Sequence, residues 1–144
     1  DDKLARAAGL GADTTINYKD NPDWGKQAFE ATGRGVNLVI EIGGGGTFNQ
    51  SMEALTIGGH ISIIGALSGV STELNLLNMV FKNVHTHGIT VGTREDHEAM
   101  NHFLAEHQIH PVVDKEVSFD QGAEAIIGIA SGNHFGKIVV NINS

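Results

Sequence analysis

Apolar residues in this chain follow two rhythms that alternate along its length. In 36–42 (VNLVIEI) every position but Asn37 and Glu41 is Val, Ile or Leu, and four glycines follow at 43–46. Phe48, Met52 and Leu55 then recur at i, i+4 and i+7 behind Thr47. A short β-branched run of this kind reads as a parallel strand buried on both faces. The spacing after it reads as a helix capped by Thr47 and reaching about Thr56. The unit recurs as a strand at 60–66 (HISIIGA) after Gly58-Gly59, a helix at 74–81, a strand at 85–91 (HTHGITV) and a helix at 95–107 capped by Thr93.

Upstream, Asp1 or Asp2 caps a helix faced by Leu4, Ala7 and Ala8 and ended by Gly9 and Gly11. A short strand at 14–18 (TTINY) follows, and Asn21-Pro22 opens a helix whose buried face is Trp24, Ala28 and Phe29. Downstream, Pro111 stops the helical pattern and 112–119 reads as extended. Asp120 caps a helix carrying Ala123, Ile126, Ile127 and Ala130, and 137–142 (KIVVNI) is a last strand. Strands alternating with helices across short glycine-bearing turns predict an α/β fold with a parallel sheet, helices on both faces and right-handed crossovers. Ligands in such folds bind outside the carboxyl ends of the strands.

Composition narrows the partners. Nine basic against seventeen acidic residues leave a net charge of −8, which argues against nucleic acid or an anionic membrane surface. The absence of cysteine rules out disulfides and thiolate metal sites and fits a reducing, cytoplasmic setting. No apolar run has the length of a membrane span. The chain opens on Asp1 without a methionine and drops straight into a helix, which reads as a piece of a longer protein. A compositional break near Gly92 predicts two regions, 1–91 and 92–144, the second holding five of the eight histidines.

Two motifs invite chemistry. Glu41-Ile42-Gly43-Gly44-Gly45 has the acidic-x-Gly-x-Gly form of an S-adenosylmethionine-binding turn, while Gly43 and Gly45 begin, without completing, a Gly-x-Gly-x-x-Gly dinucleotide fingerprint. A methyltransferase would also need an acid at the end of the next strand to hold the ribose hydroxyls, and that strand ends in Ile64-Gly65-Ala66. A tight turn with no ligand is the bland alternative. Among the histidines, His85 and His87 lie two apart on a strand and face one way, but His97, His102 and His107 are spaced by five and do not stack on a helix. No metal site and no Ser-His-Asp arrangement is expected from these spacings.

The order of features carries a broader resemblance. Lys3, Gly9-Leu10-Gly11-Ala12-Asp13, Ile16-Asn17-Tyr18-Lys19, VNLVIEIGGG, GGHISIIGALSG, HGITVGTRE, HPVVDKEVSF and SGNHFGKIVV together resemble the medium-chain dehydrogenase/reductase superfamily. The match is to its zinc-type alcohol dehydrogenase and quinone-oxidoreductase-like members and covers essentially the whole chain. It implies a Rossmann-like coenzyme domain lacking its first two strands, distal part at 1–91, and a segment at 92–144 that rejoins the catalytic domain. The family's glycine-rich pyrophosphate turn and the domain that holds zinc in the zinc-using members lie outside this sequence. Whether the parent uses zinc is therefore left open, and the chain carries no catalytic group and is expected to be inactive alone.

The resemblance implies an NAD(P)-dependent oxidoreductase acting on an alcohol, carbonyl, quinone or enone. A methyltransferase-like domain and a non-catalytic nucleotide-binding protein are the alternatives. Lys3 and Tyr18 match residues beside the adenosine ribose, where a 2′-phosphate would sit, favouring NADP over NAD. Ile42 and Gly43 match the strand end crossed by a coenzyme ribose. Ile64, Gly65 and Ala66 match the segment along the nicotinamide half, and Ile89, Thr90 and Val91 the one whose main chain holds the carboxamide. His134 stands where related reductases place an asparagine that reaches the coenzyme. In the family's strand order, 3-2-1-4-5-6, TTINY would be orphaned and VNLVIEI would show a bare edge. The strand from His85 to Val91 matches the edge through which the family forms a two-fold dimer.

Overall fold

The computed structural model describes residues 1–143 and divides into two compact units, Asp1–Val91 and Gly92–Ser144. The first contains α1 (Asp2–Gly9), α2 (Trp24–Ala31), β1 (Val36–Glu41), α3 (Phe48–Ala54), β2 (Leu55–Ile63), α4 (Leu76–Lys82) and β3 (His85–Gly88). Its three strands are parallel in the order β1-β2-β3. Parallel neighbours joined through helices form the α/β, Rossmann-like arrangement that the strand–helix alternation predicts.

The core lies on one side of this sheet. Phe48 and Met52 of α3, with Leu55 and Ile61 of β2, form the buried cluster, and Val36, Val39, Ile63 and Met79 pack against it. The expected two-sided burial of 36–42 does not hold. Leu38, Ile40 and Ile42 alternate to the other side and are 53 %, 57 % and 54 % exposed, because the helical side chains Phe48, Met52 and Met79 all meet the Val39 side. Lys82, at the end of α4, closes the last turn of α3. Its Nζ donates to the carbonyls of Met52, Glu53 and Leu55 at 2.9, 2.9 and 3.2 Å, where a cation meets the negative end of the helix dipole.

Several local expectations change. TTINY is not a strand, although its lack of a ladder partner and the bare edge of β1 at the end of the sheet are as expected. An extended backbone without a neighbour cannot satisfy its own donors and acceptors as a strand does. β2 starts five residues before the expected 60–66, directly at the end of α3, and stops at Ile63. Its register against β1 jumps from Val36↔Leu55 to Leu38↔His60, and the surplus residues loop out around Gly58 at φ 76°. α2 starts at Trp24 with Asp23 at its N-cap position, so Asn21 does not cap it. The Asn21 amide instead donates to the Asn17 carbonyl at 3.2 Å. Asp1 precedes α1 but its carboxylate accepts from Asn17 Nδ2 at 3.1 Å and makes no cap.

The second unit contains α5 (Arg94–Glu106), β4 (Val113–Ser118), a 3₁₀ turn (Phe119–Gln121), α6 (Gly122–Ile129) and β5 (Lys137–Asn141). Thr93 caps α5 as expected, in a reciprocal capping box with Asp96. β4 and β5 pair in parallel across α6. Asp120 falls inside the 3₁₀ turn and does not cap α6, whose buried face is Gly122 and Ala125 while Ile126 and Ile127 are exposed. Among the described residues, no helix is long and apolar enough to cross a membrane.

Candidate functional site

Register places the three strand ends of the first unit side by side. Glu41 pairs with Ile63 and Ile63 with Gly88, so Ile42-Gly43, Ile64-Gly65 and Ile89-Thr90 leave the sheet in a row along its C-terminal edge. Main-chain bonds hold the row together. The Glu41 carbonyl accepts from Ile64 N at 2.8 Å and Gly65 N at 3.2 Å, and the Ile63 carbonyl accepts from Ile89 N at 2.9 Å. An ideal Cβ on Gly65 would stand 2.6 Å from the Ile42 carbonyl oxygen, so only glycine allows that approach.

Glu41 governs the glycine turn. It is 3 % exposed, and its Oε1 accepts from Gly43 N at 2.7 Å, Gly44 N at 2.9 Å and Thr47 Oγ1 at 2.6 Å. Its Oε2 accepts from the Ser51 hydroxyl. Burial pushes this carboxyl upward, yet the bonds from Ser51, Thr47, Gly44 and Gly43 outweigh it and hold the group below the usual glutamate range. Thr47 therefore gives its hydroxyl to Glu41 and makes no side-chain cap on α3. The sequence offered one signal for this role. An acid inside an apolar strand needs partners, and Gly43, Gly44, Thr47 and Ser51 follow within reach.

The turn is closed on the other side too. Gly45 N donates to the Gly69 carbonyl at 2.7 Å and Gly46 N to Ser68 Oγ at 3.1 Å. All four amides of 43–46 thus have partners within the chain. A phosphate cradle needs free amides and a favourable potential. This turn has neither, because its donors are engaged and a buried carboxylate lies beneath them. Gly44, Gly45 and Gly46 serve close packing against 66–71 rather than leaving room for a ligand: a Cβ on Gly44 would stand 2.6 Å from Ala66 Cα.

A cavity of about 490 Å³ lies at the bare edge and C-terminal end of β1, lined by Tyr18, Trp24, Ile42, Gly43, Thr47 and Leu67 among others. It brings together Tyr18, Ile42 and Gly43 of the expected residues and adds Trp24 and Leu67. Ile64, Gly65 and Ala66 do not line this cavity, Ala66 packing on Gly44 instead, and Ile89, Thr90 and Val91 follow β3 outside it, with Val91 almost fully exposed. Lys3 lies on α1 and does not line the cavity. His134 belongs to the second unit, in a separate cavity of about 450 Å³ that also includes Lys115, Glu124 and Asn133. Its Nδ1 is buried without a hydrogen-bond partner among the described residues.

His85 and His87 do face one way, towards His60 on β2. The His60 and His85 rings stack with centroids 4.7 Å apart, and His60 Nδ1 is 3.4 Å from His87 Nε2. No group of three or more histidines and carboxylates among the described residues converges as a metal site.

Comparison with known proteins places these features. Residues 1–106 match the family model described as zinc-binding dehydrogenase. A zinc-type alcohol dehydrogenase-like protein of Schizosaccharomyces pombe is 40 % identical over 99 % of this chain and 43 % of its own length. A solved structure of a candidate alcohol dehydrogenase from Sinorhizobium meliloti superposes with a TM-score of 0.88 at 34 % identity, covering 98 % of this chain and 41 % of that one. A structure described as an NAD-dependent alcohol dehydrogenase gives 0.85 at 32 % identity, again over 98 % and 41 %. The chain thus spans less than half the length of the proteins it matches.

Proposed function

The chain belongs to the zinc-binding dehydrogenase family, and on that premise we propose that the full-length protein is a nicotinamide-dependent oxidoreductase. Its substrates are an alcohol and the corresponding carbonyl, or a quinone or enone. The observation that carries this reading is the row of strand ends at 42–43, 64–66 and 89–91, held in parallel register at one edge of the sheet. Such an edge offers backbone groups and small side chains to a flat, extended ligand.

The residues present suit the ribose and nicotinamide half of the coenzyme rather than its pyrophosphate, since the amides of 43–46 are engaged within the chain. When bound, the coenzyme supplies or accepts the hydride. Ile42 and Gly43 then line the ribose, Ile64, Gly65 and Ala66 flank the nicotinamide, and the main chain of Ile89, Thr90 and Val91 meets its carboxamide. His134 is our candidate for a further polar contact. For Lys3 and Tyr18 we propose a place beside the 2′-phosphate of NADP, where a lysine acts as a point charge. The zinc that some family members use has no ligand set among the described residues, and we assign it none in this chain. For assembly we propose a homodimer joined through the outer edge of β3.

Thermal unfolding of the full-length protein tests the reading. A coenzyme present at about one hundred times its Kd stabilises by roughly 2.7 kcal/mol. NADPH should raise the midpoint more than NADH does, and Lys3→Ala should remove that difference. S-adenosylmethionine should shift nothing, and NADPH should be consumed with an aldehyde or quinone panel. No stabilisation by either nicotinamide coenzyme would end this assignment.

A further inference from the structure

Glu41 joins two of the strand ends through separate parts of one residue. Its carboxylate fastens Gly43, Gly44 and Thr47, and its carbonyl fastens Ile64 and Gly65. The turn it shapes is then pinned to the loop after β2. Ser68 donates to the Gly43 carbonyl from both its amide and its hydroxyl, each at 2.7 Å, and Gly45 N reaches the Gly69 carbonyl at 2.7 Å. Oε1 already takes three donors and Oε2 faces the Ser51 hydroxyl, so the carboxylate is committed to the chain rather than to a ligand.

We propose that Glu41 is the positioning residue of the coenzyme site: without touching the coenzyme, it sets Ile42, Gly43 and Ile64–Ala66 in the arrangement that receives it. This rests on the oxidoreductase reading above and deepens it. A corollary concerns ligand chemistry. A buried negative charge under a turn with no free amide repels phosphate, so the ligand portion lying over Gly43 is uncharged, as a ribose is.

The test uses the full-length protein and the variants Glu41→Gln, Thr47→Val and Thr47→Ser. Glutamine keeps the shape and removes the charge; valine keeps the shape of Thr47 and removes its donor; serine restores that donor. Hydrogen exchange on the coenzyme-free protein should show Gly43 and Gly44 exchanging at least tenfold faster in Glu41→Gln, with Ile61 in β2 unchanged. The Kd for NADPH should rise at least tenfold in Glu41→Gln and several-fold in Thr47→Val. In both variants kcat at saturating coenzyme should stay within about threefold, and Thr47→Ser should bind like the wild type. A general loss of fold would slow kcat and loosen Ile61 as well, whereas a positioning role changes the Kd and the exchange at Gly43 and Gly44 and leaves kcat and Ile61 as they were. Unchanged exchange at Gly43 and Gly44 overturns the proposal, as does faster exchange with an unchanged Kd. If the wild type binds NADPH and Glu41→Gln binds it equally well, this proposal alone fails. If the wild type binds neither NADPH nor NADH, the oxidoreductase reading fails with it.

Discussion

Gly44 and Gly58 provide a controlled pair for asking what the glycine turn does. Both have left-handed backbones, φ 81° and 76°, so alanine at either meets nearly the same backbone strain. An L-residue held there costs about 1–2 kcal/mol. Their surroundings differ. A Cβ at Gly58 meets nothing within 4 Å, whereas at Gly44 it stands 2.5 Å from the Gly69 carbonyl oxygen and 2.6 Å from Ala66 Cα. Both of those are backbone atoms, so relief requires the 66–69 loop to move as a body. Overpacking of this kind adds about 1–3 kcal/mol. Gly58→Ala should therefore destabilise the full-length protein by about 1–2 kcal/mol, and Gly44→Ala by about 2–5 kcal/mol. Urea unfolding midpoints at constant m-value measure the difference. If Gly44→Ala costs no more than Gly58→Ala, the turn is not packed against 66–69, and the reading of its glycines as packing residues is wrong.

Two further outcomes follow from buried groups. Leu55, which is 0 % exposed at the junction of α3 and β2, should cost about 2–5 kcal/mol as Leu55→Ala in the same urea titration. Glu41 is held below its ordinary value of 4.5, so its contribution is complete above about pH 4.5 and is lost as pH falls through the depressed value. The stability gap between wild type and Glu41→Gln should accordingly narrow as pH falls below about 4.5; a gap of constant size down through the acid range would contradict the assignment.

Much of the architecture can be read from the chain because its strongest signals are local and periodic. The β-branched run of β1 and the i, i+4, i+7 spacing of α3 concern residues that decide their own conformation. The same is true of the Thr93–Asp96 box, where donor and acceptor are three positions apart. Several of the discrepancies involve a competition that the local pattern does not reveal. Thr47 has the chemistry of a cap, but Glu41, six residues earlier, takes its hydroxyl. Asp1 likewise serves Asn17 rather than α1. TTINY has strand propensity but no neighbour, and strand formation is decided by the neighbour. The candidate site divides in the same way. Ile42, Gly43, Ile64 and Gly65 are legible because they close recognisable strands. Trp24 and Leu67 enter only when the start of α2 and the loop after β2 come in beside β1.

The closed hydrogen bonding of 43–46 also bears on how tightly this edge can hold anything. A loop that stays mobile until its ligand arrives subtracts its lost freedom from the affinity, at about 1–2 kcal/mol for each residue ordered. Here that freedom is surrendered when the chain folds, so docking of the coenzyme proposed for this edge would be close to rigid.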